Sequence, residues 1–154
     1  MSFKQLGLLL SMLFLTAIAG AGAWDVGPFD NDDALDWVWE LESSDDLSAL
    51  EAALRAGASE GSYIEAPTGS VAIAAAEVVA ALTGNPLPQL PDEVVSWTSN
   101  RSLSKDSELV RLARKVIAAV QNSTNSELAE LWSESGELFE IWTSGLSDLQ
   151  QRLQ

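Results

Sequence analysis

The sequence predicts an all-α protein, a single-domain bundle of roughly six helices behind an N-terminal signal peptide. Three observations carry that expectation. From residue 31 onward apolar residues return at the i, i+3, i+4, i+7 spacing that gathers them on one face of a helix. No run alternates β-branched and polar residues as a half-buried strand would. One segment, VAIAAAEVVAAL at 71–82, is apolar nearly all round, the pattern of a helix enclosed by others.

The leader comes first. MSFKQLGLLLSMLFLTAIAGAGA carries one positive charge at Lys4, an apolar run from Leu8 to Ile18 and alternating small residues at its end. The small-x-small rule places cleavage after Ala21 or Ala23, so residues 1–21 read as signal and 22–154 as a secreted or periplasmic acidic domain. The alternative is an uncleaved anchor, because the uncharged stretch from Gln5 to Ala23 is just long enough to span a bilayer. Membrane contact is expected only through that uncleaved leader.

The helices follow in order. Residues 31–42 place Ala34, Trp37, Val38 and Leu41 on one face. Residues 46–56 do the same with Leu47, Leu50, Ala53 and Leu54, and Gly57 suits the left-handed position after a helix. GASEGSYIEAPTGS reads as the longest loop, and the apolar helix 71–82 is closed by Gly84 and Pro86. Beyond the proline-punctuated NPLPQLP, Pro91 opens a short helix through Trp97. Residues 105–121 carry an apolar stripe with Arg111, Arg114 and Lys115 opposite, and residues 126–153 carry two more stripes with a break near Gly136 or Gly145.

Charge and two absences prune the chemistry. From Trp24 onward 23 acids face 7 bases, a net charge of −16, which repels nucleic acid and steers toward a basic protein partner or cations. The chain has no histidine and no cysteine, so it offers no Ser-His-Asp triad, no His-ligated zinc, no thiolate nucleophile and no disulfide. The expectation leans away from an enzyme. Paired carboxylates do serve hydrolases, but among 23 acids some pair always fits. Two N-x-S/T triplets, at Asn100 and Asn122, would be glycosylation acceptors in a eukaryotic secretory path.

The densest cluster of candidates is GPFDNDD at 27–33. As structure, Asp30 would cap the first helix and accept the amide of Asp33, Asn31 to Asp33 would fill a first turn that favours negative charge, and Phe29 would pack back on Ala34 or Leu35. As a site, Asp30, Asn31, Asp32, Asp33 and Asp36 would supply oxygens to Ca or Mg. The EF-hand pattern fails, since Ala34 and Leu35 stand where it needs an oxygen ligand and a glycine. Glu77, the lone charge of the apolar helix, is the candidate to complete a different site; otherwise it pairs with Arg111 or Arg114, or faces solvent through a gap. The tryptophans at 24, 37, 39, 97, 132 and 142 would line a groove or, at helical spacing beside Leu and Val, join the core.

On GAW at 22–24, GPFDNDDALDW at 27–37, YIEAP at 63–67, AAAEVVAAL at 74–82 and the Leu90-Pro91 pair ahead of Trp97, the chain resembles the mainly bacterial family Domain of Unknown Function 4259. The resemblance spans nearly everything after the leader. It implies a small helical domain with no assigned activity or cofactor, whose signature is Trp24, Gly27, Phe29, Asp30, Asn31, Asp32 and Asp33. Asp25 departs from the glycine that commonly follows the family's tryptophan, and the leader is a second departure. Cleavage after Ala21 would restore the Gly-Ala-Trp terminus that leaderless relatives carry. Three readings remain open at this point: a non-enzymatic interaction module, inhibitor or immunity-like, with an acidic face for a basic protein; a divalent-cation-binding protein or metal-dependent hydrolase built on FDNDD; and a structural domain with no dedicated ligand.

Overall fold

The computed structural model describes residues 25–59 and 61–154; the leader and Trp24 lie outside the described residues. Seven helices follow one another: α1 (Asp32–Glu42), α2 (Ser48–Gly57), α3 (Ala66–Leu82), α4 (Asp92–Thr98), α5 (Glu108–Val120), α6 (Glu127–Ser133) and α7 (Glu137–Arg152). There is no strand among the described residues, and an isolated parallel bridge joins Ile64 and Ser126.

Helix α3 is the axis, touching each of the other six. Its alanines, glycine and serine leave thin walls against which neighbours approach closely, and 13 of its 17 residues are buried. A close approach is at Gly57, where an added Cβ would stand 2.2 Å from the Cβ of Ala72. That glycine is the last residue of α2 rather than the left-handed residue after it; Ala58 caps the helix with φ −94. Closeness to α3, not turn geometry, is why a glycine serves there.

Helix α3 begins at Ala66, five residues before the expected start at Val71, so APTGS is helix and not loop. Pro67 is tolerated because first-turn amides have no intrahelical acceptor to lose. Glu127 supplies the missing acceptor from α6, its carboxylate receiving the Ala66 amide at 2.7 Å. The bridge beside it, with Ile64 N–H on Asn125 at 2.8 Å and Glu127 N–H on Ile64 at 3.0 Å, ties the YIEAP stretch to the start of α6. At its far end α3 closes as expected: Gly84 has φ 91, its amide reaches Ala81 and the Asn85 amide reaches Ala80, a Schellman motif.

The remaining boundaries follow local chemistry. Pro91 caps α4 from outside it, and Ser107 caps α5 by accepting the Val110 amide. The break between α6 and α7 falls at Gly136, φ 58, while Gly145 lies inside α7. The Trp97 indole donates to Ser44 O at 2.9 Å and the Arg101 guanidinium lies 4.2 Å from the Trp97 ring centroid, which fastens α4 to the α1–α2 loop.

Candidate functional site

Two features bear on function: the lead-in turn and exposed face of α1, and a cleft where that turn meets α3, α6 and α7.

The turn is built from GPFD. Asp30 N–H donates to Gly27 O at 3.1 Å, and the Asp30 carboxylate turns back to accept the Gly27 amide at 3.1 Å. A Cβ at Gly27 would sit 2.2 Å from that carboxylate oxygen, so a side chain there would push the Asp30 carboxylate away from the turn. With Asp30 spent on the turn, the helix cap moves one residue along. Asn31, extended at φ −153 and buried, accepts the Ala34 amide at 2.8 Å, correcting the expectation that Asp30 caps α1 through Asp33. Phe29 is buried before the cap, and Asp32 and Asp33 fill the first turn where the helix dipole favours them. Asn31→Ala is expected to lower the unfolding free energy by about 0.5–2 kcal/mol, with Asn31→Asp close to the parent, in urea denaturation. Equal stability of Asn31→Ala and parent would remove the cap from the account.

The acids of the cluster diverge after the cap. Asp32 and Asp36 are exposed, Asp30 faces Gly27, and among the described residues no three carboxylates converge as a metal-ligand group. Beyond the cap, Asp32, Asp36, Trp39 and Glu40 stand at i, i+4, i+7 and i+8, one solvent-facing stripe. Trp39 is 68% exposed, whereas Trp37, Trp97 and Trp142 are buried and Trp132 is half-buried. Sequence reasoning that assigned the tryptophans to groove or core missed this one. The signal was available: Trp39 falls outside the Ala34, Trp37, Val38, Leu41 face and among acids.

Glu77 is buried at 3% exposure and does pair with an arginine, but with Arg152 rather than Arg111 or Arg114. The guanidinium donates to both carboxylate oxygens, at 2.8 and 2.9 Å, and its Nε donates to Asp148 at 2.7 Å. Arg111 instead pairs with Glu108, and Arg114 donates to the Leu153 carbonyl. The last turn of α7 thus reaches α3, a placement no local pattern encodes. Burial holds the Glu77 carboxyl above the ordinary carboxylate range, with Arg152 pulling in the opposite direction.

Glu77 and Asn31, far apart in sequence, line one cleft together with Asp25, Ser70, Trp132 and Trp142. The two indoles stack with centroids 6.3 Å apart and planes at 22°. The cleft therefore joins the lead-in turn to the one buried carboxylate of α3, which the Arg152 guanidinium binds. Asn100 and Asn122 are both exposed, well away from α1 in sequence.

Comparison with known proteins adds the family. The model described as "Domain of unknown function (DUF4259)" matches residues 22–145. Neither a curated protein nor a solved structure matches the chain.

Proposed function

The chain belongs to the DUF4259 family, whose description assigns no activity, and we propose that it is an exported, non-enzymatic interaction module that binds a basic protein partner through the acidic face of α1. The observation that carries this reading is Trp39, 68% exposed in a stripe with Asp32, Asp36 and Glu40 on a helix whose last turn holds no base. A large rigid indole ringed by like charges is the composition of a binding hot spot for lysine or arginine, through cation–π contact at the centre and charge complementarity at the rim. The net charge of −16 from Trp24 onward, 23 acids against 7 bases, adds long-range steering toward such a partner. An inhibitor or immunity-like role fits a domain of this kind. The cation-dependent alternative needs converging oxygens, and the outward spread of Asp32 and Asp36 favours the interaction reading over it.

Binding of an arginine-rich peptide, followed by calorimetry across a salt series, tests the proposal. Affinity is expected to fall as salt rises, and Trp39→Ala is expected to weaken it at least tenfold, about 1.4 kcal/mol, with an unchanged melting temperature. Salt-insensitive binding, no binding at low salt, or a Trp39→Ala variant that binds like the parent would overturn it.

Export rests on the leader. Intact-mass measurement of protein from the secreting cell is expected to give a terminus at Gly22. A retained leader, or a terminus beyond Trp24, would contradict cleavage after Ala21.

A further inference from the structure

We propose that the cleft between the lead-in turn, α3, α6 and α7 is a binding site for a small organic cation, an alkylammonium or alkylguanidinium group. This goes beyond the α1 reading and does not rest on it.

The first observation is the sign of the walls. Among the described residues, the three charged side chains that line the cleft, Asp25, Glu77 and Asp148, are all carboxylates. Arg152 binds Glu77 and Asp148 and offsets one of these charges, so a net negative charge remains with Asp25 at the rim.

The second observation is independent and concerns Ser70. Its side chain is 5% exposed and lines the cleft, and among the described residues its hydroxyl makes no hydrogen bond. A serine buried in a helix ordinarily bonds a carbonyl one turn back or water. Among the described residues no fully sealed side-chain polar atom lacks a partner, so the Ser70 Oγ is open, and the space it opens to is the cleft. A buried hydroxyl is thus held ready for a group arriving there.

The third is the apolar and aromatic part of the wall. Stacked Trp132 and Trp142, with Ile73 and Leu146, offer aromatic and aliphatic carbon in place of the six to eight oxygens that a bare divalent ion takes. Carboxylates beside indole faces suit a cation on a hydrocarbon stem: the stem packs on the rings, the head meets the acids, and Ser70 accepts one N–H. The head can come from a free amine or from a lysine or arginine side chain of a bound polypeptide; both present the same chemistry.

Titration of labelled protein with n-butylammonium and n-butylguanidinium, read by shifts of the Ser70 amide and the Trp142 indole N–H, tests this. Butyrate and n-butanol, matched in stem but not in charge, serve as controls. Saturable shifts with the cations alone are expected. Ser70→Ala and Asp25→Asn are expected to weaken binding several-fold, and Trp39→Ala to leave it unchanged. Ser70→Ala removes an unbonded hydroxyl and keeps a good helix former, so it is expected to fold like the parent. A lysine derivative blocked at both ends gives the second arm: binding equal to butylammonium assigns the head to a polypeptide side chain, and much weaker binding assigns it to a free amine. Equal shifts with n-butanol, no saturable shift with either cation, or parental affinity in both variants would overturn the site.

Discussion

Arg152→Met is expected to lower the unfolding free energy by about 3–5 kcal/mol at neutral pH. The pair it breaks is bidentate, and both side chains are largely removed from water, at 16% exposure for Arg152 and 4% for Glu77. Removing the guanidinium strands a carboxylate inside α3 that burial keeps largely from water. The loss depends on pH in a fixed direction. Burial raises the folded-state pKa of Glu77 above its ordinary value even with Arg152 present. A carboxyl with a raised folded pKa contributes most below its unfolded pKa, and that contribution is lost as pH rises through the folded value. Without Arg152 the folded pKa rises further, so the deficit of Arg152→Met shrinks on mild acidification. Urea unfolding at neutral and mildly acidic pH measures both effects. Glu77→Met/Arg152→Met is expected to recover most of the loss, since two apolar side chains of similar volume leave no stranded charge. A single variant as stable as the parent at neutral pH would mean that the pair is open to water.

Gly57→Ala is the second large effect, a loss of about 1–3 kcal/mol. The new methyl would meet Ala72 Cβ at 2.2 Å, with Val116 behind it at 3.5 Å, where α2, α3 and α5 meet. A Cβ cannot rotate away, so one helix must shift. The gain in helix propensity on replacing glycine is too small to offset this. Ala72→Gly in the same chain removes the collision and is expected to restore part of the stability, the rest being held back by a glycine inside α3. Double-mutant analysis of thermal unfolding checks it: additive losses would place the strain elsewhere.

The architecture was legible because burial imposes period 3.6 on the helices that keep one face in solvent. Helix α3 announced itself as central by being apolar all round, and the Schellman end at Gly84 followed from one glycine. What was hidden depended on partners remote in sequence. The first turn of α3 looked like a loop because its acceptor, Glu127, comes from α6. Gly57 looked like a turn residue because its neighbour Ala72 lies on another helix. Glu77 was picked out as the odd charge in an apolar helix, yet nothing local pointed to Arg152, since only the crossing of α7 over α3 brings them together. In the signature stretch the kind of structure was readable, a turn and a cap. Which residue caps was not, because Asp30 and Asn31 are both good caps and the tight turn on Gly27 consumes the first.

The proposed function requires FDNDD to be the start of α1 rather than a cation site. Thermal unfolding of residues 22–154 in calcium, in magnesium and in chelator, with Asp32→Asn/Asp33→Asn alongside, tests it most directly. One melting temperature is expected for the parent in all three, with the variant slightly lower everywhere from loss of the dipole interaction, about 0.3–1 kcal/mol per acid. A rise in melting temperature with either ion that the variant loses would contradict it and make the cluster a metal site.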